Sequence, residues 1–147
     1  MFSLLRFLEH VHGHLGWLAV AVLAHPAIVL RRRRRRAHLA VSLAVSIPTM
    51  VAALGATLYP HYRQTLRASI FRDAPEIGLM FERKEHLAFA VIALAWIGAI
   101  AYFGSWKTPA PAMDKLHALA HRAFVLAAIL AAAVACLGTW VATYRTF

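Results

Sequence analysis

Nine of the 147 residues are histidine: His10, His12, His14, His25, His38, His61, His86, His117 and His121. Imidazole is the side chain best suited to bind haem iron, copper or zinc through one nitrogen while the other donates a hydrogen bond. The spacing is that of a helix. At 100° per residue His10 and His14 share a face, and so do His117 and His121. His14 and His25 lie within about 20° of one direction, about 16 Å apart along the axis. His12 points away from that face. The other groups narrow the chemistry. Cys136 is the sole cysteine and sits in an apolar run, so it reads as a packing residue and no disulfide framework or cysteine metal cluster is available. No Ser-His-Asp set, phosphate loop or dinucleotide fingerprint is present.

The elements that must position these histidines are membrane helices. Hydrophobic residues make up 61% of the chain and the mean hydropathy is +0.62. A helix needs about 20 apolar residues to span the hydrocarbon. Four stretches qualify, roughly residues 5–30, 38–59, 86–106 and 115–144. The expected fold is all-α: an integral membrane four-helix bundle forming a single transmembrane domain over residues 1–147. The first span has its basic block after it rather than before it, so it reads as a retained helix and not a cleaved signal. Pro26 and Pro48 fall inside spans, where Ser46 and Thr49 could satisfy the backbone that Pro48 frees. Gly98, Gly104, Gly138 and the alanines 127, 128 and 131–133 read as close-packing surface. Most tryptophans and tyrosines lie near span ends, as an interfacial belt would. The segment from Tyr59 to Glu85 reads as a long loop of mixed charge, with a short surface helix over Arg63 to Arg72.

The formal charge of +10 arises from 16 Lys and Arg against 6 Asp and Glu. The bases cluster between apolar runs, which is a pattern of membrane orientation and calls for no nucleic acid. The run Arg31 to Arg36 and the loop with Lys107 and Lys115 fall on one side, which is therefore expected to be cytoplasmic. The long loop and both termini fall on the other. The expected location is a bacterial-type inner (cytoplasmic) membrane, with the bilayer itself as first partner.

In this topology the histidines gather near the two faces. His10, His12, His14, His61 and His86 lie on the outer side, and His25, His38, His117 and His121 on the inner. A bis-histidine haem needs one imidazole from each of two facing helices at equal depth. The outer set offers His14 or His10 with His86, and His61 in reserve. The inner set offers His121 or His117 with His38 or His25. Arginines beside each set could hold haem propionates. Four helices with histidines at two depths resemble the four-helix di-haem membrane cytochromes b, which shuttle electrons between quinol or ascorbate and an acceptor. Alternate helices hold each haem in that family, which implies His14 with His86 outside and His38 with His121 inside. The resemblance implies two b-type haems, an electron-transfer subunit of a larger oxidoreductase, quinone at one face, and membrane or periplasmic redox subunits as partners. Two other readings share the same residues. One is a non-redox structural or assembly subunit of a membrane complex. The other is a membrane protein that handles bare copper or zinc.

The orientation can be tested directly. A cysteine placed between residues 63 and 80 is expected to react with an impermeant maleimide on intact cells. Reaction only after lysis would invert the topology.

Overall fold

The computed structural model describes residues 2–31 and 36–144. All its elements are helical: α1 (Phe2–Arg31), α2 (His38–His61), a π-helical turn (Tyr62–Leu66), α3 (Arg67–Asp73), α4 (Pro75–Ser105) and α5 (Ala110–Thr143). Four helical stretches are long and apolar enough to cross a membrane. Proline marks two starts. Pro75 and Pro111 stand in the first turns of α4 and α5, where their missing N–H costs nothing. Pro48 lies inside α2, and the neighbouring Thr49 hydroxyl donates to the Val45 carbonyl at 2.7 Å.

α1 packs on α2 and α5, and α4 packs on α5 and α2. Each helix therefore runs antiparallel to its two neighbours, and α1–α4 and α2–α5 are the diagonals. Leu23, Leu30, Val41, Tyr102 and Phe124 are fully buried. Alanine fills most of the remaining core: Ala44, Ala95, Ala99, Ala120, Ala127 and Ala131. Such small residues let backbones approach closely, which matters where lipid supplies no hydrophobic drive between helices. Gly98 does the same between α4 and α5. A Cβ there would lie 2.9 Å from the Phe124 ring. Large apolar side chains point outward instead, among them Ile28, Leu39, Met50, Phe89, Ile100 and Ile129. That inversion is what a hydrocarbon solvent calls for.

Three expectations change. The segment from Tyr59 to Glu85 is not a long loop. The chain stays helical from His38 to Asp73, breaks at Ala74 (φ −151°, ψ 73°), and is helical again from Pro75. A residue before proline is pushed out of the α region, so Pro75 places the break. The charged residues read as loop are the solvated ends of helices longer than a bilayer needs. α4 alone has 31 residues, about 46 Å at 1.5 Å per residue. Arg67 and Glu82 then tie α3 to α4 at 2.8 Å, and the Phe71 ring covers Gly78. The aromatic belt is also incomplete. Tyr102 and Tyr62 are buried inside the bundle, whereas Trp17, Trp96, Trp106 and Trp140 are exposed. Cys136 is exposed rather than packed.

The α4–α5 contact gives a stability test. Gly98→Val is expected to cost about 1–3 kcal/mol by overpacking, read as a lower unfolding midpoint in detergent. Adding Phe124→Ala should make the second loss smaller than it is in the wild type. Strict additivity would show that the two residues do not touch.

Candidate functional site

Titratable and aromatic groups collect at the two ends of the bundle, with the alanine core between them. The end where α1 gives way to α2 is called the arginine end here, and the opposite one the far end.

At the arginine end the organising group is Tyr102. Its ring is fully buried, and its hydroxyl accepts the Ala37 N–H at 2.8 Å. α2 has no side-chain cap, so this bond satisfies a backbone donor at the helix start. His38 packs edge-on to Tyr102 at 5.6 Å and lies 4.3 Å from Trp106 and 5.9 Å from Phe103, centroid to centroid. His117 approaches Tyr102 from α5 at 6.2 Å. Tyr102 thus stands between His38 and His117. His121, one turn further along α5, is partly buried. Its Nδ1 is enclosed without a hydrogen-bond partner among the described residues. His25 is exposed on α1 and lines a groove with Arg36.

At the far end the inward histidine is His12. A Cβ on Gly55 of α2 would meet its Cε1 at 2.9 Å. Its Nδ1 is enclosed with no hydrogen-bond partner among the described residues, and Lys84 of α4 is close enough for their charges to interact. The Lys84 stem lies on Gly138 of α5, 3.6 Å from where a Cβ would be, and its ammonium sits 4.3 Å from the Phe81 ring centroid. All four long helices therefore meet here at one polar layer. Tyr62 lies beyond it, stacked on Phe81 at 3.9 Å, and its buried hydroxyl has no partner among the described residues.

The expected outer ligands are elsewhere. His10, His14 and His86 are exposed, and His61 is partly buried. His14 Nδ1–H donates to the His10 carbonyl at 2.8 Å and His86 Nδ1–H to the Glu82 carbonyl at 2.7 Å. A carbonyl only accepts, so the proton is on Nδ1 and Nε2 is left as the electron-pair donor. These two rings do not face each other. α1 and α4 are diagonal. Trp17 bonds to Thr139, while Lys84 lies on Gly138 and Gly98 on Phe124. This register puts His14 and His86 about six residues, or about 9 Å, apart along the axis.

The expectation that the histidines point into the bundle is corrected for His10, His14, His25, His38 and His86; His12 points away from the His10–His14–His25 face as expected, and it is His12's side that turns inward. The buried stripe of α1 contains Ala19, Leu23 and Leu30, and His12 is in phase with it to within about 20°. His10, His14 and His25 occupy the opposite side. Burying two leucines decides the rotation of α1, and the imidazoles follow. Gly55 and Gly138 are the sequence signals for the polar layer at the far end, since each leaves a hollow where a larger residue would crowd His12 or Lys84. Alanines and the Phe124 ring fill the middle of the bundle between its two ends, and the expected outer pair, His14 and His86, is not brought together. Among the described residues no group of three or more His, Cys, Asp or Glu is placed to hold a metal ion. No protein-family model, curated protein or solved structure matches the chain.

The His12–Gly55 contact can be checked by cross-linking. In a Cys136→Ser background, His12→Cys with Gly55→Cys is expected to be bridged by a short thiol-reactive cross-linker. His14→Cys with Gly55→Cys is not. The reverse pattern would rotate α1 by half a turn.

Proposed function

We propose that this chain is a multi-pass subunit of a membrane electron-transfer assembly, with its arginine end in the cytoplasm of a bacterial-type cell. In this reading the imidazoles engage their cofactor on the outside of the bundle, at a seam with another subunit. One observation carries it. His14 and His86 are exposed, each with Nδ1–H tied to its own helix and Nε2 left as the electron-pair donor. An anchored Nδ1–H is how a protein fixes the tautomer and direction of a ligating imidazole. Polar rings turned to lipid are costly, so a face of α1 bearing His10, His14 and His25 calls for a partner. Each outward ring would supply one axial ligand to a b-type haem and the partner the other. Haem would contribute one-electron chemistry. This chain would contribute ligand direction, low dielectric and basic groups beside each end. Quinone is the natural small partner of such an assembly.

The closed alanine core favours a second reading, a non-redox structural or assembly subunit. The two separate on colour. The chain is extracted from its own membranes in mild detergent with its associated subunits, and haem is measured by pyridine haemochrome and low-temperature electron paramagnetic resonance. The redox reading expects low-spin haem in the complex, with His14→Ala and His86→Ala each removing one signal while the complex stays assembled. A colourless complex leaves the structural reading. Unchanged haem in both variants would move the ligands to other residues.

A further inference from the structure

The groove beside His25 has a composition that selects its ligand. It lies between α1 and α2 at the arginine end, has a volume of about 300 Å³, and is lined by His25, Val29, Arg36, Ala37, Leu39, Ala40 and Leu43. The two polar residues are a base and an imidazole, and the rest of the wall is aliphatic. The aliphatic wall continues outside it. Ile28 and Leu39 are among the most exposed apolar side chains, and Leu43 is exposed too. The occupant must therefore be anionic at one end and have a hydrocarbon body that runs on along the helices.

The surrounding charge is one-sided. Arg31 to Arg36 join the two helices that form the groove, and no Asp or Glu occurs between Glu9 and Asp73. Neither α2 nor the end of α1 carries a carboxylate that could neutralise these arginines. α2 also starts here with no capping side chain, adding the partial positive charge of a helix N-terminus. Basic pockets between membrane helices hold anionic headgroups by such means. We propose that the groove is a binding site for one anionic phospholipid, its phosphate between Arg36 and His25 and an acyl chain along Val29, Leu39 and Leu43. The site requires only that the chain lies in a membrane, and it stands or falls separately from the haem reading.

The test uses the full chain in nanodiscs of equal phosphatidylglycerol and phosphatidylcholine, with retained lipid counted by native mass spectrometry on release. The wild type is expected to keep one phosphatidylglycerol in preference to phosphatidylcholine. Arg36→Gln should weaken that preference about fivefold, the weight of one base near an anionic headgroup. Leu43→Trp should fill the groove and lose the lipid with every arginine in place. Met50→Trp, at an exposed position on α2 outside the groove, should keep it. Helical content of each variant is followed by circular dichroism. Equal retention by Leu43→Trp and the wild type would overturn the site and leave a diffuse attraction to the arginine run. Loss in Met50→Trp would overturn it as a non-specific effect of the substitution. Displacement by millimolar inorganic phosphate would show a free-anion site. A retained mass equal to haem would overturn the lipid and favour the redox reading.

Discussion

The spacing of α4 and α5 is set by the Phe124 ring in the hollow of Gly98. Once α5 is drawn that close to α4, only alanine fits along most of the remaining seam, and Ala95, Ala99, Ala120, Ala127 and Ala131 occupy it. A membrane bundle gains little from hiding one apolar surface from another, since lipid is equally apolar, so its cohesion rests on dispersion at short range. The cost of that solution is room. A core packed at alanine spacing leaves little width between the helices at mid-bundle. The polar side chains are therefore displaced to the ends of the bundle or to its outer surface.

Each end solves its polar problem differently. At the far end glycine provides the space: Gly55 admits His12 and Gly138 admits the Lys84 stem, so a cation and an imidazole sit within the bundle where four helices meet. The π-helical turn after α2 belongs to the same arrangement. It places Tyr62 in an interior position, against Phe81. π-turns insert one residue into the helical repeat and are frequent at functional sites. At the arginine end the solution is a single strong hydrogen bond. The Tyr102 hydroxyl takes the first free donor of α2 from Ala37 and fixes the start of α2 against α4. His38, Phe103 and Trp106 pack together beside that start.

The sequence was informative where one property dominates. Four long apolar runs give four long helices, the arginine run marks a connection between two of them, and Gly98 and Ala127 mark close packing. It was uninformative where two tendencies compete. The cost of exposing imidazole favours turning the side of α1 with His10, His14 and His25 inward. Ala19, Leu23 and Leu30 lay on the other side, and the shape fit of those residues to the alanine core outweighed three rings near the ends, where water and headgroups reduce the cost. Between Tyr59 and Glu85 the composition separates membrane from water but not helix from loop. Arg63, Arg67, Glu82 and Lys84 are good helix formers, and only Pro75 interrupts them. The histidines themselves were legible as an accumulation near two ends. Their partners were not, because partner choice depends on rotation and register, which no spacing within one helix specifies.

The charges make the two ends unequal in what they need from outside. By sequence the arginine end carries nine bases and one acid, Asp114, whereas the far end carries seven bases and five acids. At the far end carboxylates from the same chain lie beside the bases, and Arg67 with Glu82 closes one such pair at 2.8 Å. At the arginine end almost no counter-charge exists within the chain. Like charges close together repel even in water, by about 1 kcal/mol for a pair at 4 Å and by more beside a low-dielectric wall, and six arginines follow one another in the sequence here. Anions from the surroundings must offset that repulsion, and a leaflet rich in anionic lipid supplies them at high local concentration. If the chain lies in a membrane, its arginine end is the end that draws on lipid for counter-charge, and the groove next to Arg36 offers one place where that attraction becomes a specific contact.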